Sequence, residues 1–351
     1  MKRKGISKVM AITLSVAIVL GTMPEMAVVS EAKGEASGEY VNEEQEVNEE
    51  QEVNEEPDYD GFLKALQEGL DAFESTVDVS SYNIPSVDVG SFYSVVVYRN
   101  SRNFFVKWFS QTVSADGIAQ SVTFKYIDTI DNIRNMLSRY DAAVANALAG
   151  IDNNATDIEK ILYINDYLAL NTEYDTAGGQ ISSSNPGLNA TAYGALVEKK
   201  AICMGYAYAF QQLAEKLGLE SWMVTSSSLN HAWNMVKLGN SYYNVDTTWD
   251  DPLTDIPGRA MHKYLLKSTE YFKSQEGGHN ADDWLVDGLA SPEEASDTSL
   301  DSCTWDDINT GFFKIGNLWY TMNTAEGGIV SYDINGTNVT CQGKVLSLDE
   351  E

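Results

Sequence analysis

Only three histidines, three cysteines and seven prolines occur in 351 residues. So few thiols exclude a disulfide-built scaffold, and the histidines leave little material for a metal centre. His262 and His279 are dispersed and stand at no zinc-ligand spacing from any cysteine, so no metal and no cofactor is expected. Cations are scarce as well, with 23 Lys and Arg against 52 Asp and Glu and a formal net charge of −29. Phosphate binding needs clustered Lys and Arg, so this balance argues against a nucleic-acid partner or an anionic membrane surface. A Gly-rich phosphate loop is missing, and no apolar run reaches the ~20 residues of a spanning helix. What is present is core-forming: 43% hydrophobic and 11% aromatic residues describe a globular chain.

The N-terminus is set apart. Lys2, Arg3, Lys4 and Lys8 precede "VMAITLSVAIVLGTM", and Ser30-Glu31-Ala32 offers small residues for cleavage, so residues 1–32 read as a secretory signal peptide. The expected location is secreted or at the cell surface, with no stable membrane insertion after cleavage. The first cysteine is Cys203, which excludes lipid attachment at a processed N-terminal cysteine. "VNEEQE" then occurs at Val41 to Glu46 and Val47 to Glu52, with a degraded copy ending at Asp58. An acidic six-residue period has no apolar face to bury, so residues 33–58 read as a low-complexity linker.

Order is expected from residue 59. Phe62, Leu63, Leu66, Leu70 and Phe73 recur at helical spacing. Phe92 to Tyr126 reads as three antiparallel strands joined by "RNSRN" and "ADG" turns. A long helix comes next, with Ile130, Ile133, Leu137, Tyr140, Val144 and Leu148 as its stripe and Gly150 as its stop. Together these make residues 59–150 an N-terminal α/β region packed on a core of residues 151–288. That core opens with a capping box at Thr156-Asp157-Ile158-Glu159. Beyond it, residues 289–351 read as the polar linker "SPEEASDTSLDS" and a small β appendage with Gly-Asn and Asn-Gly turns.

Candidate chemistry lies in the core. Tyr206, Phe210, Leu213 and Leu217 share a helical face that begins at Cys203 and ends at Gly218. Cys203 therefore stands in a first turn, where unpaired N–H groups and the helix dipole favour a thiolate, and Lys199 and Lys200 add positive charge to the approach. Further on, "NHAWNMVKLGNSYYNVDTTWDDP" reads as two strands around a Gly239-Asn240 turn. With a two-residue loop, paired numbers sum to 479. Trp233 then faces Asp246, and His231 becomes the diagonal neighbour of Asp246 within reach of its carboxylate. Asp250 and Asp251 before Pro252 read as a turn, and the second "TWDD", at Thr304 to Asp307, as coincidence.

These stretches resemble the bacterial transglutaminase-like superfamily. The resemblance rests on "AICMGYAYAF" around a C-x-G-Y-A pattern, on "HAWN", and on "VDTTWDDP", with support from "YINDYLALNTEYD" and "ATAYGALVEKKAIC". Asn165 stands where relatives often carry histidine. The resemblance implies an α+β, papain-like core and a triad of Cys203 as nucleophile, His231 as base and acid, and Asp246 as its orienter. It also points to Tyr174 as a candidate oxyanion donor beside the Cys203 N–H, with core packing as its other reading. The implied partner is a protein or peptide amide, with cell-wall association open. The reaction is cysteine-dependent acyl transfer, the alternatives being a protease or amidase of the same fold and a non-catalytic surface binding module. Removing one nucleophile leaves Cys303 and Cys341, which export would allow to pair.

Overall fold

The computed structural model describes residues 56–176, 187–251, 260–275, 278–287, 289–290, 294–303 and 305, and the backbone of four strands between 312 and 342. The expected signal peptide, most of the acidic linker and the Cys341 side chain lie outside them. Cys303 makes no disulfide with a described residue, and its pairing with Cys341 falls outside the described residues. Among the described residues no helix is long and apolar enough to cross a membrane.

Helix α1 (Tyr59–Asp71) is capped by Asp58 and buries Phe62, Leu66 and Leu70 of the predicted stripe, while Leu63 is half-buried and Phe73 lies past the end of the helix. Strand β1 (Thr76–Asp78) comes next, then α2 (Val89–Ser94), which continues as a π-helical turn through Val95–Arg99. Strands β2 (Val106–Val113) and β3 (Ala119–Tyr126) pair, giving a sheet of order β1-β3-β2. This corrects the expected meander: the stretch from Phe92 to Arg99 is helical, and the third strand comes from β1. "VVV" has strand propensity, but Tyr93, Val96 and Val97 are buried while Val95 is 40% exposed, a helical rather than an alternating pattern. Packing decides where propensity is weak.

Helix α3 (Ile130–Leu148) buries Ile133, Leu137, Tyr140, Val144 and Ala147, while Ile130, in its first turn, is exposed rather than part of the stripe. Phe104 stacks near Tyr140 and Tyr193, so this region shares one continuous core with the helices C-terminal to it. Helix α4 (Asp157–Asn171) starts at the capping box, with both the Thr156 and the Glu159 bonds formed. Two short strands, β4 (Glu173–Tyr174) and β5 (Lys200–Ala201), pair in parallel and lead into α5 (Cys203–Lys216). Every residue of α5 from Cys203 to Ala214 is buried. It is a central helix, buried all round, rather than the one-faced helix the sequence stripe describes.

Gly205 sets how closely that helix docks. A Cβ there would stand 2.5 Å from the Asn189 carbonyl oxygen and 2.8 Å from the Ala201 Cβ. A backbone oxygen cannot swing away, so Gly205→Ala should destabilise the fold by about 1–3 kcal/mol through overpacking. Thermal unfolding of the two proteins checks this; an unchanged midpoint would mean that the helix can shift freely.

The second layer is an antiparallel sheet built on β6 (Ser221–Ser226), β7 (His231–Leu238) and β8 (Ser241–Val245). After β8 come a short helix α6 (Thr247–Asp250), strand β9 (Leu265–Lys267), helix α7 (Thr269–Ser274) and strands β10 (Trp284–Val286) and β11 (Leu289–Ala290). The strand order is β11-β10-β6-β7-β8-β9. Helix α5 packs against β7, where Asn234 donates to the Ala207 carbonyl at 3.1 Å. A helical layer on an antiparallel sheet makes the fold α+β.

The polar segment 294–303 is fastened along the β8–β9 edge. Ser241 bonds Asp297, Ser268 bonds Asp301, and buried Lys267 donates to the carbonyls of Leu300, Asp301 and Cys303. Trp305, in the second "TWDD", is buried and donates to the Leu265 carbonyl at 3.0 Å, a packing role. Farther on, β12 (Phe312–Ile315) pairs with β13 (Leu318–Thr321), and β14 (Ile329–Ile334) with β15 (Thr337–Gln342), as two antiparallel hairpins.

Candidate active site

Cys203 is the first residue of α5, after Ile202 in extended conformation. Its N–H is among the four that a helix leaves without an internal partner, and its thiol is only 7% exposed. The preceding lysines turn elsewhere. Lys199 donates to the Tyr167 hydroxyl at 3.2 Å, and Lys200 pairs with Glu173 and Asp175. Positive charge at Cys203 therefore comes from the helix start and from the neighbouring histidine rather than from these two side chains.

The hairpin has the register expected from its turn. Asn234 faces Val245, Met235 faces Asn244 and Leu238 faces Ser241, each pair summing to 479. Gly239 has φ +60°, which favours glycine at the first loop position. The ladder stops one pair short of Trp233 and Asp246, because Asp246 leaves the strand to cap α6, its Oδ1 accepting from the Trp249 N–H at 3.2 Å. Its other oxygen, Oδ2, accepts from His231 Nε2–H at 2.6 Å. With Nε2 engaged, Nδ1 is the nitrogen left to serve Cys203, whose charge is felt at the imidazole. Trp233 and Trp249 flank the imidazole at 5.7 and 5.4 Å between ring centroids.

Burial works against charge here, and the partners overcome it. Desolvation disfavours the His231 imidazolium, but the Asp246 charge, the Asp246 hydrogen bond and Cys203 together hold His231 well above its ordinary value. Desolvation likewise opposes the Asp246 carboxylate, and the two histidines beside it hold that group well below the usual carboxylate range. The charged pair is thus the stable arrangement.

Tyr174 comes to the same place through β4. It pairs with Ala201, two residues before the cysteine, and its ring stacks on Tyr206 at 6.4 Å. Burial first, then the nearby charges of Cys203, Asp246 and Asp175, push its hydroxyl above its ordinary value.

Other residues at this site carry no local sequence signal. His279, read as dispersed, is fully buried and donates through Nε2 to the same Asp246 Oδ2 at 2.7 Å. His262 is buried too and bonds Asp166 Oδ1 at 2.7 Å, with Asn165 beside them. Asp250 and Asp251 are not exposed turn residues. Asp250 is buried in α6 and accepts from the Tyr264 N–H, and Asp251 accepts from the Tyr206 hydroxyl at 2.5 Å. Asp250 ends α6 instead of forming a turn, and Asp251, just after it, is also turned inward toward the core.

A resident metal does not fit this geometry. His231, His279 and Asp246 each bring one potential ligand atom within 4.8 Å of the others. Zinc bonds of about 2 Å would hold such donors roughly 3.3 Å apart. The two nitrogen-to-oxygen separations are instead 2.6 and 2.7 Å, hydrogen-bond lengths with a proton between the atoms. The trio is a hydrogen-bonded cluster.

Residues 142–247, which hold all of Cys203, His231 and Asp246, match the sequence profile of the transglutaminase-like superfamily. No curated protein matches the chain. Solved structures that resemble it include a TGase, at 15% identity and a TM-score of 0.28, over 41% of this chain and 44% of that one. A second is a candidate cysteine protease from Cytophaga hutchinsonii, at 17% identity and a TM-score of 0.25, over 44% of this chain and 65% of that one. The matched regions span less than two thirds of either structure.

Proposed function

We propose that this transglutaminase-like chain is a cysteine-dependent acyltransferase acting on protein or peptide amides, with Cys203, His231 and Asp246 as its triad. The observation that carries the reading is the buried His231 to Asp246 bond of 2.6 Å, at a histidine that also feels the charge of the helix-start cysteine. The family profile over the same residues supports it.

The chemistry derives from the charges. The Cys203 thiolate attacks the amide carbonyl, and the oxygen that becomes negative is met by the Cys203 N–H and, in this reading, by the Tyr174 hydroxyl. The His231 imidazolium gives its proton to the departing amine, which leaves a thioester on Sγ. Neutral His231 then takes a proton from the acceptor, an amine or water, as that acceptor attacks the thioester. Asp246 fixes the tautomer that serves both steps. Transfer is preferred over hydrolysis because Trp233 and Trp249 wall the imidazole and restrict water there. A signal peptide in residues 1–32 would place the enzyme outside the cell, with cell-wall or surface proteins within its reach.

The test uses a glutamine peptide and a fluorescent amine. Incorporation that vanishes in Cys203→Ala supports transfer. Cleavage or deamidation without incorporation makes the protein a hydrolase, and absence of turnover in both proteins makes it a binding module.

A further inference from the structure

His279 is bound to the site more closely than its place in the chain suggests. Its Nε2–H shares Asp246 Oδ2 with His231, at 2.7 and 2.6 Å. Its ring is wholly buried among Trp249, Phe272, Trp233 and Tyr264, whose centroids stand 4.4, 4.5, 4.7 and 5.3 Å away. Its other nitrogen, Nδ1, is buried with no hydrogen-bond partner among the described residues. An imidazolium at this position would bury a second N–H against aromatic rings, so the neutral Nε2–H tautomer is the one that fits. Desolvation, larger than the opposing pull of Asp246, holds His279 below its ordinary value.

We propose that His279 is a positioning residue of the reaction proposed above: a permanently neutral donor that keeps the buried Asp246 carboxylate hydrogen-bonded and oriented while the His231 proton comes and goes. This rests on the triad reading and deepens it. When His231 protonates the departing amine, Asp246 loses the cation that faces it. Without His279, the fully buried carboxylate would keep only the Trp249 N–H and one neutral imidazole and would be poorly satisfied. His279 leaves three donors on Asp246 at every stage. It also draws charge from Oδ2, so His231 is bound less tightly and releases its proton to the leaving group more readily. The residue touches no reacting atom and acts through Asp246.

The titratable groups around this carboxylate are His231 and Cys203 on one path, Tyr174 from β4, and Asp250 from α6. Behind Asp250 stand His262 and Asp166. Among the described residues, only His231 and His279 donate to Oδ2.

The chain has three histidines, so NMR of protein labelled at the imidazoles gives three sets of signals to follow with pH. The expected wild-type result is that His279 stays a neutral Nε2–H tautomer from about pH 5 to about pH 9. In His279→Phe, which fills the aromatic box without a donor, the His231 titration should move up by about one pH unit, the worth of one hydrogen bond to a charged group. His279→Gln, whose amide can donate, should return it toward wild type. A purely structural role predicts no such rescue. An unmoved His231 in folded His279→Phe overturns the proposal, and so does a wild-type His279 that becomes charged near neutral pH. If both variants misfold, the wild-type tautomer alone decides. The triad reading is tested apart from this by the pH profile of Cys203 alkylation with iodoacetamide in wild type and His231→Ala. Equal profiles sink the triad while leaving the histidine titrations readable.

Discussion

Asp246→Asn should cut acyl transfer by roughly 10⁴-fold, the size of loss seen when a triad aspartate becomes an amide. The reason lies in what Oδ2 accepts. Two imidazole N–H groups donate to it, at 2.6 and 2.7 Å. An asparagine turned so that its NH2 takes that place would set donor against donor. Both contacts then clash, and a histidine relieves its own only by changing tautomer; at His231 that moves the proton to the nitrogen left for Cys203, whereas His279 Nδ1 has no hydrogen-bond partner among the described residues. A proton moved to His231 Nδ1 cannot be exchanged for the thiol proton, so the thiolate is lost. The carboxylate charge that holds His231 above its ordinary value disappears with it. The sign is fixed: a histidine with a raised value carries its charge until the pH climbs through that value, and the variant should lose the imidazolium at lower pH than wild type does. Single-turnover acylation by a chromogenic thioester or amide substrate reads the rate, and alkylation of Cys203 across pH reads the thiolate. An Asn variant within tenfold of wild type at neutral pH would show that Asp246 does not orient the histidine.

Much of this site is legible in the sequence because its rules are local. The Gly239-Asn240 turn fixes a two-residue loop, and the sum of 479 then brings His231 to Asp246 with no further information. Cys203 at a helix start is set by the spacing of Tyr206, Phe210 and Leu213 and by the stop at Gly218. The missing parts are those that only tertiary packing supplies. His279 lies 33 positions after Asp246, in irregular backbone beyond α7, and its aromatic box is assembled from β7, α6, the approach to β9 and α7. No window of sequence contains that arrangement; the scarcity of histidine is the one available hint. The Val95 to Val97 run misleads for the opposite reason, since its composition speaks for a strand while the core accepts a helical face. Asp250-Asp251-Pro252 has turn composition, yet Asp250 ends α6 and Asp251, just after it, is also turned toward the core.

Asp250→Asn should stabilise the protein increasingly as the pH rises. Asp250 is fully buried; one oxygen accepts from the Tyr264 N–H at 2.9 Å, and the other has no hydrogen-bond partner among the described residues. Desolvation holds its carboxyl well above the ordinary range, and the Asp246 and Asp166 charges add to this against the pull of the Tyr264 N–H and His262. In the unfolded chain the same carboxyl ionises near its usual ~3.9. Between that value and the folded one the native state holds the extra proton, so stability falls with rising pH by roughly 1.4 kcal/mol per unit, then levels off once the folded carboxyl has ionised. Below the unfolded value both states are protonated and the term vanishes. Asparagine keeps the acceptor for Tyr264 and never ionises, so the variant lacks this slope. Any packing cost of the amide is an offset independent of pH, which leaves the slope as the readout. Urea unfolding of both proteins from about pH 4 to about pH 8 should show the variant gaining on wild type with every step upward. A difference that stays constant across the range would mean that Asp250 is ionised in the folded protein as readily as in the unfolded chain, with its charge neutralised by the His262 side of the cluster.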